Sequence, residues 1–154
     1  MRPVLGLVFW LAITFAAAAV GARYMPGDWY AALRKPPWTP PGWIFAPVWT
    51  ILYVLMAVAA WLVWKQDASR VAWLPLGVYV LQLALNAAWS WCFFGLHSPG
   101  LALADIGALW LALAATVALF WAVRPLAGAL LLPYLAWVTF ASALNAAVWW
   151  LNRG

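Results

Sequence analysis

The sequence predicts an all-α integral membrane protein whose five transmembrane helices form an up-down bundle, with a long structured loop between the first and second. Three observations predict it. Of 154 residues, 69% are hydrophobic and only 7% charged, whereas a soluble domain is about half apolar and about a quarter charged. Five apolar runs each reach the roughly 20 residues that a helix needs to cross the hydrocarbon. Three of the four connections between them are only a few residues long, which sets successive helices antiparallel.

The runs lie at about 4–22, 43–64, 71–94, 101–123 and 126–151. In lipid each backbone group must be satisfied within its own segment or in a closed barrel, and the Ala- and Leu-rich runs favour helices. Arg2, the apolar stretch and AAAAVGA also resemble a cleavable signal peptide, but a run of about 19 residues exceeds the usual apolar region of one. The first run is therefore expected to stay as a helix. KQDASR (65–70) joins the second and third spans. LHSPG (96–100) joins the third and fourth, where Pro99 and Gly100 are expected to break the helix. Arg124 and Pro125 mark the last turn, with Pro125 suited to open a helix. A single membrane domain over 1–154 follows.

The connection 23–42 is different, because a segment of this length is uncommon in a compact bundle and more often functional than passive. Asp28 is expected to cap a short helix, DWYAALRK. In KPPWTPPGW, Pro36, Pro37, Pro40 and Pro41 fix an extended path at low entropic cost. A stiff aromatic segment of this kind reads as a lid over one mouth of the bundle.

Composition excludes several classes. Eight basic and three acidic residues give a formal charge of +5, but the basic residues are scattered between apolar runs rather than gathered on one face. They read as membrane-edge charges that meet lipid head groups, not as a nucleic-acid surface. Five spans put Arg2, Lys65, Arg70 and Arg124 on one side and Arg23, Arg34, Lys35 and Arg153 on the other, so charge does not set the orientation. Cys92 is the only cysteine and His97 the only histidine, which leaves too few ligands for a metal site. No nucleophile–base–acid set is present, and no cofactor is implied. Asp105 is expected to complement the helix dipole at the start of the fourth span. The composition and short termini point to a bacterial cell membrane.

Fifteen tryptophans stand out. Trp10, Trp64, Trp73, Trp121 and Trp150 are candidates for the interfacial aromatic belt. Others share helix faces with polar groups. Gln82, Asn86, Trp89 and Phe93 follow i, i+4, i+7, i+11 on the third span. Trp49, Tyr53 and Ala60 share a face of the second, and Trp137, Ala141, Asn145 and Trp149 a face of the fifth. Amides are costly in lipid unless they face the interior, where each interhelical hydrogen bond contributes roughly 0.6–2 kcal/mol. Aromatic-plus-amide stripes under an aromatic lid describe a pocket for a large planar ligand such as a tetrapyrrole, or a sterol; core packing explains the same pattern. Ala84 with Ala88, and Ala104 with Ala108, let helices approach closely, within the chain or in a homodimer.

The segments WYAALRKPPWTPP (29–41), PVWTILY (47–53), QLALNAAWSWCFF (82–94) and PYLAWVTFASALN (133–145) resemble the TspO/MBR family of translocator proteins and tryptophan-rich sensory proteins. The resemblance covers nearly the whole chain. It implies a five-helix bundle, often a homodimer, that binds protoporphyrin IX and other porphyrins, sterols and synthetic isoquinoline carboxamides beneath the first loop, in tetrapyrrole sensing or transport. Carried over, the ligand-binding residues are Tyr30, Trp38, Trp49, Tyr53, Asn86, Trp89, Phe93, Trp137, Ala141, Leu144 and Asn145. Trp49 and Trp137 match tryptophans implicated in light-dependent porphyrin breakdown by some bacterial members, which gives an enzymatic alternative. The sterol motif of animal members needs a Tyr where LNAAVWWLNR (144–153) offers Trp149 and Trp150.

Overall fold

The computed structural model describes residues 2–66 and 73–154. Five helices are long and apolar enough to cross a membrane: α1 (Arg2–Gly21), α3 (Phe45–Gln66), α4 (Trp73–Ser90), α5 (Pro99–Val123) and α6 (Pro125–Asn152), with the short α2 (Asp28–Ala32) between the first two. Most of the KQDASR link and residues 71–72 of the third run lie outside the described residues.

Local chemistry sets the element ends, in places differently from the sequence reading. Asp28 is the first residue of α2 and not its cap; Gly27 holds that position, no side chain caps the helix, and it ends at Ala32. Pro99 opens α5 rather than breaking a helix, as its missing N–H suits the first turn, and Ser98 Oγ accepts from the Leu101 N–H. The break falls earlier, at His97, whose φ of 52° is left-handed. Before it, Trp91–Gly95 forms a π-turn, closed by Leu96 N–H on the Trp91 carbonyl. Asp105 sits beyond the first turn of α5 and its Oδ2 has no hydrogen-bond partner among the described residues, so the expected dipole role does not apply. Pro125 opens α6 as anticipated.

The spans form a closed circle in the order α1, α3, α6, α5, α4. Trp61 Nε1 of α3 donates to the Pro3 carbonyl at the start of α1, and Trp49 meets both Tyr134 and Trp137 of α6, so both pairs are antiparallel. α4 returns beside α1, where Thr14 and Tyr79 share a hydrogen bond of 2.6 Å. The successive spans α3 and α4 are thus not principal neighbours; they touch across the interior. Thr50, Thr116, Thr139 and Ser142 return their hydroxyls to carbonyls of their own helices, a local solution common in membrane helices. Trp10 is buried, 5% exposed and edge-on to Tyr79, and does not join the belt. Trp64, Trp73, Trp121 and Trp150 face outward. Ala84, Ala104 and Ala108 are exposed, so packing within the chain does not account for them.

The segment 23–42 is tied down at both sides. Trp29 stacks on His97 at 4.5 Å and meets Phe93 edge-on, while Tyr30 meets Phe93 and Phe94. On the far side the Asn152 amide receives the Arg34 N–H at 3.0 Å and donates to the Arg34 carbonyl at 2.9 Å. Asn152→Ala removes both bonds, each worth about 0.5–1.5 kcal/mol. Hydrogen exchange at Arg34–Thr39 is expected to rise roughly tenfold with the spans unchanged; unchanged exchange there would show that the loop does not depend on this amide.

Candidate functional site

The π-turn and the stripe on α4 place four side chains in line on the interior: Gln82, Asn86, Trp89 and Phe93. All but Trp89 are buried. Asn86 is the centre of the first layer. Its Oδ1 accepts from the Tyr53 hydroxyl of α3 at 3.0 Å, and its Nδ2 donates to the Tyr134 hydroxyl of α6. One amide thereby joins three helices. Trp49 stacks on Tyr53 at 5.5 Å and meets Trp137 edge-on at 6.3 Å. Trp137 also touches Phe45 and Phe140, and Ala141 borders the same core. The Trp137 indole N–H is buried with no hydrogen-bond partner among the described residues.

Asn145 is the centre of a second layer, closer to the loop. Its Oδ1 accepts from Trp89 Nε1 at 2.9 Å, and its Nδ2 donates to the Pro99 carbonyl of α5 at 2.9 Å. Phe93, Leu144, Trp29 and Tyr30 pack around this layer with Cys92 and Val148. Burial against the helix ends pushes the Tyr30 hydroxyl up from its ordinary pKa. Trp89 stacks on Phe93 at 5.1 Å and borders both layers.

The eleven expected residues therefore fall into two adjoining groups. Trp49, Tyr53, Trp137 and Ala141 gather around the Asn86 amide, while Phe93, Leu144 and Asn145 lie beneath α2, which contributes Tyr30, with Trp89 between. Trp38 is 48% exposed and reaches the first group only through Phe140, edge-on at 5.7 Å. The rings of Phe45, Trp49, Tyr53, Tyr134 and Trp137 touch one another, and a cleft of about 340 Å³ lies at the loop end, between Trp29, His97, Gly100, Trp149 and Arg153. There the Arg153 guanidinium covers Trp150 at 3.3 Å, so the tryptophans that replace the expected Tyr engage the terminal basic residue.

Sequence reasoning missed Tyr134, fully buried and the acceptor for Asn86. Its three-residue spacing before Trp137 was the available signal. Gln82 was noted as part of the stripe but not as a site residue; it is 0% exposed, and both its amide atoms lack partners among the described residues.

Five membrane-spanning helices around an interior of paired indoles, phenols and amides define a multi-pass membrane protein with an enclosed aromatic site. The chain belongs to the TspO/MBR family, whose model matches residues 5–151. It is 46% identical over 140 residues to the human translocator protein, covering 88% of this chain and 83% of that one. It is 43% identical over 139 residues to protein CrtK of Rhodobacter capsulatus, covering 90% and 87%. It is also 39% identical over 158 residues to the tryptophan-rich protein TspO of Chlorobaculum tepidum, covering 98% of each.

The two amides on α4 predict opposite outcomes in thermal unfolding. Asn86→Leu strands two buried hydroxyls and is expected to cost about 1–3 kcal/mol. Gln82→Met relieves a partnerless amide and is expected to leave stability unchanged or to raise it by about 1 kcal/mol. Equal losses in both variants would contradict these assignments.

Proposed function

We propose that the chain binds porphyrins, protoporphyrin IX foremost, within a single membrane domain over 1–154, and acts in tetrapyrrole sensing or transport. The observation that carries this reading is the contact of Trp49, Tyr53, Tyr134 and Trp137 beside Asn86. A planar macrocycle entering between these rings exchanges ring–ring contact for stacking on its own faces. The partnerless Trp137 N–H supplies a donor for an acceptor on the ligand, and Asn86 supplies a second when it releases Tyr134. Tyr30, Trp89, Phe93, Leu144 and Asn145 form the loop-side wall, with Ala141 leaving room between them and Trp137. Trp38 closes the edge through Phe140. The name of the human relative, translocator protein, agrees with a carrier role.

The same contact favours a second reading, light-dependent porphyrin degradation, because Trp49 and Trp137 are adjacent and buried enough to pass an electron between them. Exposed Ala84 on α4 favours a homodimer through that helix. The bacterial relatives favour a bacterial cell membrane.

Protoporphyrin titration followed by tryptophan emission tests the binding. Saturable quenching is expected in the wild type, with affinity weakened roughly tenfold in Trp137→Ala and Asn86→Ala protein of unchanged helicity, about the worth of one lost polar or stacking contact. Identical affinity in both variants would remove the site. Repeating the titration under illumination separates the second reading, which requires porphyrin loss that Trp49→Phe and Trp137→Phe suppress.

A further inference from the structure

A second cleft, of about 470 Å³, opens on the outside of the bundle between α1 and α3 and is lined by Arg2, Leu5, Gly6, Phe9 and Trp64. It lies at the end away from the loop 23–42, because α1 begins there and α3 ends there. Arg2 to Phe9 is seven residues of helix, about 10 Å at 1.5 Å per residue. The cleft therefore runs from the level of the head groups into the hydrocarbon. Leu5 and Phe9 are more than half exposed, so its walls are apolar and face lipid. A Cβ on Gly6 would run into the Trp64 ring; glycine lets the indole lie against the α1 backbone and form the floor.

The rim is polar, basic and held in place. Trp61 Nε1 donates to the Pro3 carbonyl at 2.7 Å, which clamps the two helix ends together. Lys65 Nζ sits 4.3 Å over the Trp61 ring, one turn from the cleft and on the same side as Arg2. Of the chain's three acids, Asp28 belongs to the loop and Asp105 to the far half of α5, while Asp67, two residues beyond Lys65, lies outside the described residues.

We propose that this cleft binds an anionic glycerophospholipid, with one acyl chain along Leu5, Phe9 and Trp64 and the phosphate between Arg2 and Lys65. Basic pockets between membrane helices take lipid phosphates in this way. A zwitterionic lipid carries an ammonium group that both cations repel, whereas phosphatidylglycerol offers the phosphate alone. The site is separate from the aromatic site, some two turns and more beyond Tyr53 along α3, and stands whether or not porphyrin binds.

Native mass spectrometry of the full chain, titrated with equal phosphatidylglycerol and phosphatidylcholine, tests the proposal. The wild type is expected to retain phosphatidylglycerol preferentially, by about fivefold for each cation engaged. R2Q with K65Q, both exposed positions, is expected to abolish the preference while leaving helicity unchanged. Leu5→Trp, which narrows the cleft from its exposed wall and leaves the Gly6–Trp64 contact alone, is expected to reduce bound lipid of either kind. Equal retention of the two lipids by the wild type would overturn the proposal, and so would a preference that survives R2Q with K65Q. A dimer that Leu5→Trp dissociates, with lipid retention unaltered, would make the cleft a contact between copies and equally overturn it.

Discussion

A primary amide carries two N–H donors and one acceptor oxygen, and inside a bilayer no water is at hand to satisfy them. Asn86 meets that constraint by accepting a hydrogen bond from the Tyr53 hydroxyl on one helix and donating one to the Tyr134 hydroxyl on another. Apolar burial does not drive helices together when the solvent is itself hydrocarbon. Association then depends on close packing and on bonds of this kind. Asn145 repeats the solution between α4, α5 and α6, and Thr14 with Tyr79 closes the circle between α1 and α4. The order of the helices follows from where these few polar groups find partners.

The same groups position the site. Because Tyr53 and Tyr134 are held by one amide, Trp49 and Trp137 are brought edge to face on the same side of it. The loop does not simply rest above them. α2 is seated on Phe93, Phe94 and His97 at the end of α4, and the chain after it is fastened to the end of α6 by Asn152. The roof and the walls therefore share residues, so that separating the helices at the Asn145 layer also disturbs the seat of the loop.

The five spans were legible because a run of apolar residues has few meanings at that length, and the α4 stripe because helical spacing fixes which side chains share a face. What escaped depended on pairing across space. Nothing in the spacing of α3 and α4 says that α1, rather than α3, lies beside α4. Trp10 reads as a belt residue from its residue type, yet it sits at the middle of α1, where Thr14 and Tyr79 turn that face inward. Asp28 has the residue type of a cap, but Gly27 before it takes the extended backbone that the position requires. Asn152, near the end of the sequence, carries no pattern that points to the Arg34 backbone it holds. The two-layer division of the site likewise depends on the Pro99 carbonyl, a backbone group that no side-chain pattern reveals.

Porphyrin binding as proposed requires one amide and one indole to respond to the same ligand. In lipid bilayers, solid-state NMR of protein labelled at the Asn86 side-chain nitrogen and the Trp137 indole nitrogen reads both directly. Saturating protoporphyrin is expected to move the two signals together, as Trp137 gains a partner and Asn86 changes one. Movement confined to Trp29 and Trp149 at the loop-end cleft, with Asn86 and Trp137 unmoved, would contradict it.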